Sequence, residues 1–93
     1  MTSKSPLIAI YPGSFDPITR GHEDIARRTL RVADRVIISV AHTASTNKTH
    51  LFNVDERVDL NDEVFAEEDR VQAMSFGGLL VDFASDQNAH VVV

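Results

Sequence analysis

Ninety-three residues with a net charge of −5, 43% hydrophobic and 25% charged, imply one globular domain with a modest core; at this size about 60 to 65% of the unfolded surface is buried. The sequence has no apolar stretch long enough for a membrane span, and Met1–Pro6, read as a flexible leader, has no signal-peptide core. Without cysteine there are no disulfides, no thiolate catalysis and no Cys-based metal sites, so the expectation is a cytoplasmic chain without a membrane partner. Residues 1–50 hold seven Lys/Arg against four Asp/Glu, and residues 51–93 hold two against ten. That split lacks the basic stripe with interleaved aromatics of a nucleic-acid reader, and it points to small anionic ligands met by the first half.

In chain order, the first element is a strand over Leu7–Tyr11, where β-branched residues precede the loop Pro12-Gly13-Ser14-Phe15-Asp16-Pro17. The loop leads through Thr19 to a helix over Gly21–Ala33, with Ile25, Thr29, Leu30 and Ala33 on one face and Arg27, Arg28 and Arg31 opposite. A strand end dropped onto a helix start makes an anion cradle, because the first turn offers free amides and a partial positive charge. The second strand is Val36–Ala41. A second helix begins cleanly at Val54, since Asn53 stands three residues before Glu56 in a capping-box spacing, and runs to about Ala66. Its body carries two partial stripes, Val58 with Phe65 and Leu60 with Val64, and is weakened by Asn61-Asp62.

The third strand is Val71–Met74, the third helix Gly77–Asp86 with Leu79, Leu80, Phe83 and Ala84 on one face, and the fourth strand His90–Val93. Alternating strands and helices with right-handed crossovers predict an α/β fold, a Rossmann-like parallel sheet with flanking helices and strand order 3-2-1-4. The last strand then lies at an uncovered edge, and the sequence reads as truncated after it. Ligands in such sheets bind beyond the carboxyl ends of the strands, at the switch point between the first and the fourth.

The loop is neither a Gly-x-Gly-x-x-Gly fingerprint, since Gly13 and Gly21 are eight residues apart, nor a P-loop, since no Gly-Lys-Ser/Thr occurs. Taken by themselves its residues have two readings each. His22 is a helix cap or a ligand donor, Ser14 a turn residue or a phosphate contact, and Gly21 a plain helix-start glycine or a point of close phosphate approach. Asp16-Pro17 reads as turn chemistry only. Lys48 is a solvated loop cation or an anion contact, and Leu80 is core or pocket wall. His42, at the end of the second strand, is a further residue that could face the site. His50 and His90 stand at no metal-ligand spacing.

The string Tyr11–His22, with Thr19-Arg20-Gly21-His22, resembles the opening of the nucleotidylyltransferase superfamily and its Thr/His-x-Gly-His motif. Residues 7–93 resemble the first part of the bacterial phosphopantetheine adenylyltransferase family, including Arg-Gly-His-Glu-Asp-Ile at 20–25, Asp55-Glu56-Arg57-Val58, and Phe-Gly-Gly-Leu-Leu-Val-Asp-Phe-Ala at 76–84. That resemblance implies a single nucleotidylyltransferase domain that transfers an adenylyl group from ATP to 4′-phosphopantetheine, with Mg2+ and without a covalent intermediate. It implies His22 as transition-state stabiliser, Ser14, Phe15 and His22 at ATP, and Ser14, Lys48 and Leu80 at the acceptor. It also implies a homohexamer. The family's Arg-Gly-x-Arg and its later Ser/Thr-rich motif do not occur in these 93 residues, so weak or no turnover is expected of them alone. Two other readings stand beside this one: an adenylyl- or cytidylyltransferase with another acceptor, such as nicotinamide mononucleotide, and a catalytically silent nucleotide-binding fragment.

Overall fold

Val36 to Val40 form an unbroken buried run, the pattern of a strand covered on both faces at the centre of a parallel sheet. In the computed structural model, which describes residues 6–42 and 51–93, that run lies within β2 (Arg35–Ala41). The other elements are β1 (Ile8–Gly13), α1 (Arg20–Thr29), α2 (Val54–Val64), β3 (Val71–Phe76), α3 (Leu80–Asp86) and β4 (Val91–Val92). All neighbouring strands are parallel, in the order β3-β2-β1-β4 expected from the sequence. Ile10 stands opposite Ile37 and Val92, and Ile37 opposite Gln72, so every strand's carboxyl end lies at one end of the sheet.

Period-2 alternation sends Val36, Ile38 and Val40 to one face, where they form the core with Phe15, Ala26, Leu30, Phe65 and Val71. The return from β3 to β4 runs opposite in sense to the two earlier crossovers, so the right-handed rule puts α3 on the other face. No helix among the described residues is long and apolar enough to cross a membrane.

Several boundaries and faces differ from expectation. Strand β1 runs on to Gly13, because Pro12 and Gly13 still pair with Ser39 and Val40. Helix α1 ends at Thr29, and tighter bonds from Leu30, Arg31 and Val32 to the carbonyls three residues back carry the chain to Ala33. Its buried stripe is Ala26, Leu30 and Ala33, whereas Ile25 is 42% exposed. The methyl of Ala26 lets the helix approach the sheet closely, which rotates Ile25 to the flank.

In α2 the Asn53–Glu56 box is formed in both directions, at 2.8 and 3.0 Å. The pair taken as its weak point is used by the fold: Asn61 is fully buried with Nδ2 donating to the Arg57 carbonyl at 2.8 Å, and Asp62 accepts from the Ala73 amide. Helix α3 begins three residues later than expected, because Gly78 at φ +82° takes a left-handed turn that a helix cannot include. Leu79 is thereby the N-cap and 67% exposed, leaving Leu80, Phe83 and Ala84 half-buried. The valines of β4 are exposed at the sheet edge, as the sequence suggested.

Candidate anion site at the start of helix α1

The loop leaving β1 turns sharply because Phe15 adopts φ +48°, a left-handed conformation that a bulky side chain rarely takes. Burial holds it there, since its ring is 3% exposed in the core and meets Tyr11 edge-on at 5.2 Å. Gly13 suits the same ring, for a Cβ at position 13 would sit a tight 3.0 Å from it. Ser14 is left exposed at the turn. Burial pushes the Tyr11 phenol above its ordinary pKa, so it stays protonated at neutral pH.

Thr19 caps α1, and its partner three residues on is His22 in the place where a capping box usually has Glu or Gln. The His22 amide donates to Thr19 Oγ1 at 3.3 Å, and the Thr19 amide donates to His22 Nδ1 at 3.0 Å. An amide can only donate, so Nδ1 presents its lone pair and the proton of the neutral ring sits on Nε2. Edge contact with Phe15, at 4.9 Å between centroids, fixes the ring plane. Nε2–H finds no acceptor among the described residues, and neither do the amides of Arg20 and Gly21. The first turn of α1 therefore offers two amides, one oriented imidazole N–H and the positive end of a helix dipole, the donor set of an oxyanion cradle.

Gly21 is not demanded by the fold: a Cβ there meets only Thr19 Oγ1, at an ordinary 3.6 Å. Asp16, taken from the sequence as turn chemistry only, reaches far beyond its turn. Its two carboxylate oxygens accept from the amides of Leu51 and Phe52, at 2.7 and 2.8 Å, and tie the loop to the entry of α2. Sequence reasoning missed this contact, and it missed Arg57, whose guanidinium bonds the Ser14 carbonyl at 2.9 Å. A lone arginine four residues after the Asn53 cap carries no sequence signal for burial.

The structure brings Ser14, Phe15 and His22 into one loop and helix start. Leu80 opens α3 beyond the carboxyl end of β3, two strands away in the same sheet. His42 extends the β2–β3 ladder through its amide, 2.7 Å from the Phe76 carbonyl, and no hydrogen bond or ring contact joins it to His22. Lys48 and His50 lie outside the described residues.

A Rossmann-like parallel sheet with an anion cradle at its first helix defines the class. The chain belongs to the cytidylyltransferase-like family, whose model matches residues 10–93. It is 49% identical over 87 residues to the phosphopantetheine adenylyltransferase of Bordetella pertussis, covering 94% of this chain and 50% of that protein. The protein of the same name from Thiobacillus denitrificans is 51% identical over 87 residues, covering 94% and 53%. The chain spans about half the length of these curated relatives. Among solved structures, the lipopolysaccharide core biosynthesis protein from Thermoplasma volcanium shares the fold at a TM-score of 0.72 and 16% identity, over 95% of this chain and 73% of that one.

Proposed function

We infer that this chain forms the nucleotide-phosphate side of an adenylyltransferase site, and that the reaction joins the adenylyl group of ATP to 4′-phosphopantetheine. A phosphate oxygen of the acceptor attacks the α-phosphorus, the bond to the β-phosphate oxygen breaks, and dephospho-coenzyme A and pyrophosphate result. Such chemistry asks for alignment of two anions and neutralisation of the charge that builds between them. The observation that carries this reading is the Thr19–His22 bond, which commits Nδ1 and leaves Nε2–H to donate to the α-phosphate. The near-half identity to relatives named phosphopantetheine adenylyltransferase supports the choice of acceptor.

In this reading Ser14 and the Ser14–Phe15 backbone meet ATP, Ser14 also meets the acceptor, Lys48 orients the attacking phosphate and Leu80 lines the pantetheine arm. Among the described residues no three His, Asp or Glu side chains converge to hold a metal ion. In this reading a magnesium ion is carried by triphosphate oxygens and water, as hard Mg2+ commonly is, and would supply charge neutralisation on the leaving group. A homohexamer in the cytoplasm and a single nucleotidylyltransferase domain belong to the same reading.

Pyrophosphate release from ATP is to be measured with 4′-phosphopantetheine and, separately, with nicotinamide mononucleotide. Release with the first alone is expected, and from these 93 residues by themselves it is weak at most. Release with the second alone moves the chain to another acceptor class, and Mg–ATP binding without release from either makes it a silent nucleotide binder. Gly21→Ala gives an independent check. The fold accepts the methyl, and alanine in a helix gains about 0.5 to 1 kcal/mol over glycine. Urea unfolding should show equal or greater stability, while Mg–ATP affinity falls on the order of tenfold as the methyl blocks the phosphate.

A further inference from the structure

Among the described residues Arg57 is the only buried charged side chain, at 3% exposure, and no carboxylate among them lies within ion-pair distance of it. Its partners are backbone carbonyls from three parts of the chain. Nε donates to Phe52 O at 3.1 Å, and Nη1 donates to Ser14 O at 2.9 Å and to Ala41 O at 3.4 Å. One planar fork thus joins the loop after β1, the last residue of β2 and the entry of α2. A cation taken out of water needs such dipoles around it, and a lysine, whose three donors radiate from a single nitrogen, cannot span carbonyls placed around a planar fork.

Asp16 closes the circuit from the other side, accepting from the amides of Leu51 and Phe52. The peptide of Phe52 is held at its N–H by Asp16 and at its carbonyl by Arg57, and Arg57 in turn holds the carbonyl of Ser14. In a trans peptide the C=O and the next N–H point in opposite directions. With the Ser14 carbonyl drawn inward to Arg57, the Phe15 N–H is turned away from it, at the left-handed residue next to the His22 ring. The positive charge on the carbonyl also polarises that peptide and strengthens its N–H as a donor.

We propose that Arg57 is the positioning residue of the anion site: it acts through the Ser14–Phe15 peptide, orienting and polarising the Phe15 amide toward the bound phosphate. The assignment deepens the nucleotide reading and rests on it for the ligand, but the hold on the loop is measurable without ligand. Gly13 packs so closely on the Phe15 ring that its Hα resonance reports the loop by ring-current shift.

The experiment follows the Gly13 Hα and Phe15 amide resonances of the labelled 93-residue chain, and its Mg–ATP affinity by calorimetry, in the parent, Arg57→Met and Arg57→Lys. Expected are an upfield Gly13 Hα in the parent, its loss in Arg57→Met with cooperative unfolding retained, and Mg–ATP binding weaker on the order of tenfold. Arg57→Lys, which keeps charge without the fork, is expected to restore neither, and it is read alone if Arg57→Met does not fold. Unchanged resonances and affinity in the folded variant overturn the proposal, as does full restoration by lysine. If the parent does not bind Mg–ATP, the nucleotide reading falls, and the two resonances still decide whether Arg57 holds the loop.

Discussion

Replacing His22 by alanine is expected to remove most of the site's function and little of the fold. In the proposed reading the imidazole N–H is a preorganised donor to the charge that develops in the transition state, and loss of one such donor costs about 2.7 to 4 kcal/mol, a hundred- to a thousandfold in rate. Stability loses the contacts of Nδ1 with the Thr19 amide and hydroxyl and the ring's edge contacts with Phe15 and Tyr11, together about 1 to 2 kcal/mol. Turnover, or Mg–ATP affinity where turnover is too slow to follow, is to be compared with the urea midpoint of the same variant. Parallel losses of equal free energy would make His22 a structural cap. His22→Gln separates the roles further, since glutamine can reach back to the Thr19 amide as ordinary capping boxes do, without placing an N–H where Nε2 stands.

Phe15→Ala is expected to produce the largest loss of stability of any single change in the loop. Its ring is buried in the core cluster and carries the contacts to Tyr11 and His22. Truncating a buried phenylalanine costs about 3 to 5 kcal/mol, against a total of about 5 to 15 kcal/mol for an ordinary domain. Alanine inherits the strained φ of +48° without the ring that holds it. Urea unfolding should show the midpoint falling steeply. Phe15→Leu, which refills much of the space, should recover about half of the loss and leave the His22 ring less well oriented. A midpoint unchanged in Phe15→Ala would mean that the ring is not an anchor.

The sheet was legible because its evidence is local and periodic. The apolar run within Val36–Ala41 and the helical spacings between strands were enough for alternating strands and helices, and the order taken for a doubly wound sheet is the β3-β2-β1-β4 observed. Face assignment inside α1 was less legible: Ile25 and Ala26 stand about 100° apart on the helical wheel, both within reach of a broad apolar face, and packing against the sheet favoured the smaller side chain. At the site, Thr19-x-x-His22 has capping-box spacing, a signal present in the sequence for the very bond that sets the imidazole's tautomer.

Asp16, Arg57 and Asn61 were illegible for a different reason. Asp16 and Arg57 meet partners 35 to 43 residues away, and no pattern in a single sequence announces such pairings. Arg57 and Asn61 sit on the core-facing side of α2, where polarity pattern alone would place solvent. That conflict between local pattern and fold occurs beside the loop that leads into the candidate site, where a site would ask for charge and orientation at the expense of a simple core.

The central claim is that α1 opens on a phosphate site whose key donor is Nε2–H of His22. Its most direct test is a Mg–ATP titration of the nitrogen-15-labelled chain, observing the His22 ring nitrogens and the amides of residues 20–22. The account predicts an imidazole with its Nδ1 lone pair on the Thr19 amide and its proton on Nε2 before ligand, then saturable shifts at Nε2–H and at the Arg20 and Gly21 amides. A ring protonated on Nδ1, or saturable binding whose shifts leave these groups untouched, would contradict it.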